Sequence, residues 1–483
     1  MEKLKINKKV LEQTHVVQLT NDIIVPDIKP DIINIIATNG IPYIYKEEIE
    51  KNRIKVEGCM DVYIVYLSVD GDTRSIQTTL NFKDFLENDY IKENSIIKWN
   101  LEIDTLNVKI LNERKFTFNA NLAIKYLVSE IQSVEIKDDF INDIPKLQIQ
   151  EEKIKLKSLI GINTAKASIK EDITIENLDE IAEILKVNVE INNFENKISY
   201  NKLLAKAEFN IDFVYITEDG RLGNVKNTFP VMSFVEFENI KEEDIVELDY
   251  IIKNMLIKLN NRDKHSITVQ VDFDILCTAY EEKTVNILKD AYSLTNDLEL
   301  SFETLKLEEN EEKEYIEVLE NVKVDDIKRV VSVDKRKIVI LKQDKYNIEG
   351  EICLGLYYET IDKLGLSFKE IKIPFVTKFK EACWFEINSI DVSLTNENVN
   401  FIIKLLIKYS LKNNSQINII DNIKIKDTNE SEDYSVIVYS VKKNDTIWKI
   451  AKEFKITTET LKKINDLNDN DNINLGDKLY ILK

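Results

Sequence analysis

The sequence predicts a mainly β chain of three tandem small β-sandwich-like repeats with short helices, followed by a small βααβ module. Three observations carry that expectation: an internal repeat, long runs of alternating apolar residues ending in polar turns, and a switch to helical spacing near the C-terminal end. With 483 residues and 43% hydrophobic side chains, the chain is long enough for roughly three or four domains with packed cores.

The repeat sets the boundaries. "TNDIIVPDIKPDIINIIATNG" begins at Thr20 and "KEDITIENLDEIAEILKVN" at Lys170, so that Asp22-Ile23 and Asp172-Ile173 match at an offset of 150. A strand follows each after the same interval, "VEGCMDVYIVY" ending at Tyr66 and "KAEFNIDFVY" at Tyr215, and a third copy, "IEGEICLGLYY", ends at Tyr358. From Gly58, Ala207 and Gly350, 23 or 24 residues lead to Asn81, Pro230 and Pro374, each followed by an apolar residue: Phe82, Val231 and Phe375. Each copy then closes in two alternating runs joined by a polar turn, at 112–115, 260–264 and 395–398, the pattern of a long antiparallel hairpin. Alternation such as Phe116, Phe118, Ala120, Leu122 and Ile124 sets one face on a core and the other toward solvent, as in two packed sheets. Short apolar clusters at about 31–37, 178–185 and 325–331 read as brief helices covering one end of each unit. The repeats are accordingly expected at 10–140, 155–285 and 300–415.

Charge and composition exclude several function classes. Lys and Arg number 66 against 86 Asp and Glu, net −20, which disfavours nucleic acid and anionic membranes as partners. No stretch approaches the roughly 20 apolar residues of a membrane span, and "MEKLKINKKVLEQTHVVQL" lacks the apolar run of a secretory signal, so a cytosolic location is expected. Cys59, Cys277, Cys353 and Cys383 lie far apart in apolar strand-like runs and read as reduced core thiols. Trp99 and Trp384, at matching places in the first and third repeats, are expected on the core or a sheet face. No G-x-G-x-x-G, G-x-x-x-x-G-K or G-x-S-x-G motif is present, and His15 and His265 do not resemble a metal pair. Carboxylate pairs such as Glu47-Glu48, Glu151-Glu152 and Glu242-Glu243 read as solvated surface in so acidic a chain. No catalytic residue, metal or cofactor is expected.

The tail differs in kind. "KDTNESED", 426–433, suits a polar linker. Tyr439 and Val441 then alternate as a strand, and the turn "KKND" leads to Asp445 or Thr446, either able to cap a helix. Ile447, Ile450, Ala451 and Phe454 follow at i, i+3, i+4 and i+7, one apolar face, with Trp448 off its centre. Thr457 or Thr458 caps a second helix, Glu459 sits in its first turn, and Leu461 and Ile464 face inward. The loop "NDLNDNDNINLGDK" returns to the strand "LYIL", completing a module over 436–483. From Tyr434 onward nine lysines face seven acids, so the module is weakly basic beside a strongly acidic body.

Two resemblances follow from these residues. "VPDIKPDIINII" at 25–36, the G-x7-Tyr strand ending at Tyr66, Pro374-Phe375 and the shared order of elements resemble the SPOCS domain of spore coat assembly proteins in endospore-forming Firmicutes, over most of 10–415. The second repeat departs by carrying "IENLDEI" without the prolines. "NDTIWKIA" and "INLGDKLYIL" closely resemble a LysM domain over about 438–483, with Asn444 in place of the family's usual glycine. Asn can adopt the same left-handed backbone, so the turn is expected to persist. That resemblance implies a shallow groove for N-acetylglucosamine-containing glycans between the loop after the first strand and the loop before the last. Lys443, Asn444, Asp445 and Thr446 would line one side, and Asn465, Leu467, Ile473 and Leu475 the other, although capping and fold closure are an equal alternative for any one of them.

Together the resemblances point to the clostridial coat morphogenetic proteins that act in the mother cell and link the coat basement layer, built by a polymerising ATPase, to the forespore surface. Glycan is not accessible from that compartment while its membranes are intact, so the LysM module is also a candidate for protein binding. A scaffold recruiting coat proteins is the favoured reading. A peptidoglycan-binding protein whose repeats act as spacers is the alternative, and a wall hydrolase with an unrecognised catalytic unit is the weakest.

Overall fold

The computed structural model describes residues 2–136, 143–175, 180–260, 262–306, 311–361, 365–378, 383–396, 398–410, 416–426, 436–468 and 473–482. Apart from two short helices at the C-terminal end, its elements are strands. β1 (Glu2–Ile24), β2 (Ile32–Glu50), β3 (Arg53–Ser68), β4 (Thr73–Glu87), β5 (Ile96–Asn112) and β6 (Lys115–Ile136) make two antiparallel sheets ordered β1-β6-β5 and β2-β3-β4. The alternating Phe116, Phe118, Ala120, Leu122 and Ile124 of β6 share one core with Val56, Met60, Val62 and Ile64 of β3. The same order recurs in β7 (Leu147–Thr174), β8 (Ile181–Ser199), β9 (Lys202–Thr217), β10 (Leu222–Glu236), β11 (Ile245–Leu259) and β12 (Ser266–Ser293), as β11-β12-β7 and β10-β9-β8. After β13 (Asp297–Lys306) it recurs again in β14 (Glu311–Lys323), β15 (Ile327–Gln343), β16 (Asn347–Thr360), β17 (Leu366–Lys378), β18 (Cys383–Thr395) and β19 (Asn398–Ser410), as β14-β19-β18 and β15-β16-β17. Tyr66, Tyr215 and Tyr358 lie in the central strands β3, β9 and β16, opposite Ile35, Ile184 and Val330. Pro230 and Pro374 lie on the edge strands β10 and β17, where proline is tolerated.

The brief helices expected at 31–37, 178–185 and 325–331 are not helices. Residues 32–37, 181–185 and 327–331 are the first turns of pairing in β2, β8 and β15, and Leu178 lies outside the described residues. Each strand opens with two bulges three residues apart: Ile32/Asn34 and Ile35/Ala37, Ile181/Glu183 and Ile184/Lys186, Ile327/Arg329 and Val330/Ser332. A bulge adds one unpaired residue, so inward apolar side chains recur every third position, which imitates helical spacing. Nor do Trp99 and Trp384 match. Trp99 lies opposite Tyr126 and packs against the core, whereas Trp384 lies opposite Lys408, one position out of phase, with its residue 38% exposed. Cys59, Cys277 and Cys353 are buried free thiols, and Cys383 is partly exposed.

The three units meet head to tail and close a ring. Ser75 of β4 donates from its amide and hydroxyl to Glu183 Oε2 at 2.6 and 3.1 Å, the Arg329 guanidinium donates to the Leu222 carbonyl at 2.6 Å, and the Leu366 amide donates to Thr73 Oγ1 at 3.1 Å. Ala37, Val65, Leu185, Val214, Val331, Tyr357 and Leu366 supply a core common to all three units. Beside it Lys186 is fully buried, paired with Asp334, and donates to Ser332 Oγ at 2.7 Å. Asn39, Asn188 and Asp334, each two residues past the second bulge of its strand, are linked in series: Asn39 Nδ2 donates to Asn188 Oδ1 at 3.1 Å, and Asn188 Nδ2 donates to Asp334 Oδ1 at 2.5 Å.

Two-stranded ribbons extend from the first and last strands of the first two units, and a third is made by the strands that precede and follow the last unit in sequence. The ends of β1 and β6 form one, those of β7 and β12 another, and β13 with β20 (Gln416–Lys426) the third. Leu4, Ile6 and Val134 of the first ribbon pack with Leu156, Val285 and Ile287 of the second and Ile419 of the third, so the ribbons form a stalk with its own apolar core. Beyond it, β21 (Val436–Ser440) pairs with β22 (Lys478–Leu482), enclosing α1 (Ile447–Glu453) and α2 (Thr458–Ile464). Of the linker expected at 426–433, Lys426 ends β20 and the remainder lies outside the described residues. Among the described residues, no helix is long and apolar enough to cross a membrane.

Candidate functional site on the C-terminal module

Two loops border the site. In the first, Asp445 accepts from the Lys442 amide at 2.8 Å and the Tyr439 hydroxyl at 2.9 Å, and these two donors, the amide foremost, hold its carboxyl below the ordinary carboxylate range. Asn444 takes the left-handed backbone with φ 68°, as the glycine replacement requires, and its carbonyl accepts from Lys449 Nζ at 2.9 Å. Thr446 is the cap of α1: its hydroxyl accepts from the Lys449 amide at 3.2 Å. Thr457 caps α2 by accepting from the Thr460 amide at 3.0 Å.

The second side is held by Asn465, whose amide donates to the Leu461 and Tyr480 carbonyls at 2.9 and 2.8 Å and accepts from the Tyr480 amide at 2.6 Å. It fastens β22 to α2. Leu467 and Ile473 are half-buried against the module core, and Leu475 stands 74% exposed at the loop tip. The loops are tied directly, the Gly476 amide donating to the Val441 carbonyl and the Val441 amide to the Asp477 carbonyl, both at 2.9 Å. The eight residues expected here therefore divide. Asp445, Thr446 and Asn465 spend their side chains on holding loops, Leu467 and Ile473 on the core, and Lys443, Asn444 and Leu475 project from the two joined loops into solvent. Such a surface offers backbone groups, amides and an apolar tip to a ligand. Among the described residues, no group of three or more His, Cys, Asp or Glu side chains could hold a metal ion.

Another part of the module, from Trp448 to Ile456, is already engaged. Trp448 Nε1 donates to Asp290 Oδ2 at 2.8 Å, Lys452 Nζ to Asp290 Oδ1 at 2.5 Å, and Lys455 pairs with Asp297 at 2.7 Å. Tyr292 meets the Trp448 ring edge-on at 4.9 Å, and its hydroxyl donates to the Ile456 carbonyl at 2.7 Å. Sequence reasoning left Trp448 between core and groove. Its acceptor lies 158 residues earlier in β12, and no local spacing marks that pairing.

Residues 31–111 and 180–260 match the family model described as SipL, SPOCS domain, and residues 439–482 match the LysM domain. The chain carries two SPOCS domains and a LysM domain. Both SPOCS matches run from the bulged strand that opens the second sheet, β2 or β8, to the first strand of the closing hairpin, β5 or β11. The third unit keeps their strand order outside the matched SPOCS residues. In domain content the chain is SipL-like, and both domain types are non-catalytic. No curated protein and no solved structure matches it.

Proposed function

We propose that the protein is a non-catalytic scaffold of spore coat assembly, linking the coat basement layer to the forespore surface through protein contacts, with the LysM module as the attachment point. The observation that carries this reading is the polarity of that module: one side is bound to the SPOCS-bearing body through Trp448, Lys452 and Lys455, and the joined loops stay open. A module displayed in this way suits attachment more than a spacer end. The division into repeats at 10–140, 155–285 and 300–415, a linker at 426–433 and a LysM domain at 436–483 belongs to the same reading, supported by the recurring order of six strands. So does the view of each unit as a small β-sandwich, supported by cores shared between its two sheets.

On this reading the partners are the basement-layer ATPase and other coat morphogenetic proteins, met in the mother-cell cytoplasm at the forespore surface. Lys443, Asn444, Asp445, Thr446, Asn465, Leu467, Ile473 and Leu475 border the contact. The alternative, binding of N-acetylglucosamine-containing glycan with the repeats as spacers, uses the same loops and is favoured by the family of the module. A tagged chain lacking 434–483, followed through sporulation, should stay soluble and fail to concentrate at the forespore; undiminished localisation would place the anchor in the body and defeat the proposal. Charge reversal at Lys442, Lys443, Lys462 and Lys463 separates the two ligands. It should weaken a protein contact in a salt-dependent way and hardly affect capture on purified wall glycan.

A further inference from the structure

The three units provide an internal control for one another, and one surface departs from it. On the outward face of the sheet holding the closing hairpin, the central strand carries Asn119, Asn121 and Ala123 in the first unit and Gln270, Asp272 and Asp274 in the second. The third unit has Ile402, Lys404 and Leu406 at the matching positions, Leu406 being buried. Its edge strand β14 adds Leu319 opposite Ile402 and Tyr315 opposite Leu406, where the first unit has Thr20 and Val16 and the second Lys170 and Lys166. Leu319, Tyr315 and Ile402 are 64%, 48% and 44% exposed. The Lys404 ammonium lies over the Tyr315 ring at 4.5 Å, which leaves Leu319 and Ile402 as the apolar side chains without a charge above them.

The edge itself is also left open. Among the described residues β14 pairs with β19 alone, an edge strand of its sheet as β1 and β7 are of theirs. An edge strand presents unpaired amides and carbonyls, and an apolar outward row beside it is the combination used to add a strand from a partner. The charges choose among occupants. Glu312, Glu314, Glu317 and Glu320 run along β14 against Lys313 and Lys323. Two copies of so acidic an edge repel each other when paired, and the same acids repel a nucleic acid backbone.

We propose that β14 and the outward face of the third unit form a docking site for an extended, lysine- or arginine-bearing segment of a partner protein, which adds as a strand beside β14 and lays its apolar side chains on Tyr315, Leu319 and Ile402. The inference rests on the scaffold reading and names the chemistry of what one unit holds. It requires neither the LysM loops nor localisation to be as proposed.

The test uses the full chain and a fluorescent peptide of roughly nine alternating lysine and valine residues, the length of a typical strand. Binding should fall about tenfold or more in the separate variants Leu319→Lys and Glu317→Lys, with the thermal melt unchanged, and weaken with added salt. Gln18→Lys and Ser168→Lys, at the first- and second-unit positions that match Glu317, should bind as the parent does. The same peptide N-methylated at alternate residues, which cannot complete the ladder, should bind poorly. Absence of binding by the parent chain, equal binding by the third-unit variants, equal loss in all three units, or undiminished binding of the methylated peptide each overturns the proposal. None of these results bears on whether the chain reaches the forespore, which the tail-deletion experiment decides separately.

Discussion

Gly58 and Gly350 lie beneath aromatic rings. A Cβ on Gly58 would stand 2.3 Å from Phe82 Cζ and 2.6 Å from the Tyr43 carbonyl, and one on Gly350 would stand 2.6 Å from the Phe375 ring. In the second unit the pair is Ala207 and Val231, a methyl restored where the ring is missing. Gly58→Ala should therefore destabilise the chain by about 1–3 kcal/mol in a urea melt, and adding Phe82→Val should recover part of that loss; additive losses would refute the pairing. Asp445 carries a pH prediction. Its folded pKa is depressed, so its contribution is present above the unfolded carboxylate value of about 3.9 and fades as pH falls through the lower folded one. Asp445→Asn should lower the module's melting temperature at pH 7, by an amount that shrinks as pH falls below about 4. Ile450, 1% exposed on α1, should cost roughly 2–5 kcal/mol when cut to Ala, with Trp448 fluorescence as the reporter.

Elements were legible in proportion to how closely their residues keep one period. In the hairpin β5–β6 the strand β6 alternates unbroken from Phe116 to Val128 although β5 carries two bulges, and the turn at 112–115 closes with Asn112 opposite Lys115. The module helices begin at residues that the capping pattern marked, and between Asp445 and Thr446 only the bonding decides: the aspartate closes the preceding turn and the threonine caps. Strand openings misled because Ile32 and Ile35, or Ile181 and Ile184, are spaced by bulges. The bulges have a use, since they bring Asn39, Asn188 and Asp334 to the junction of the units. Docking of α1 on β12 was not legible for a different reason. Asp290 is one acid among many, and only the fold sets it against Trp448 and Lys452. Asp290→Ala should release a folded module, seen as sharper, faster-tumbling NMR signals from residues 436–482 in the full chain; unchanged linewidths would show that Tyr292 and Leu294 suffice.

At the scale of the molecule, the ring holds a buried ion pair between the second unit's Lys186 and the third unit's Asp334. Lys186 stands where the first unit has Ala37 and the third Ser332, so this junction of the ring has an ion pair that the other matching positions lack. Lys186→Met takes the ammonium from buried Asp334, which keeps the Asn188 Nδ2 donor and, at 3.6 Å, the Arg336 guanidinium, and should cost at most about 3–5 kcal/mol, whereas Lys186→Met with Asp334→Leu should recover part of that loss in the same melt. Both the ring and the stalk join residues more than a hundred positions apart, and a single sequence gives no sign of such pairings. The stalk also has a mechanical consequence. Asp297 opposes Lys426 at the end of the third ribbon, so a load drawn from the LysM module through the chain would open β13 from β20 one rung after another, the geometry of a zipper. The Asp290 contacts provide a second path, carrying the load sideways into β12, whose pairing with β7 continues through 28 residues. A particle held at its surface by this module would resist being pulled away through that clasp before any strand had to peel.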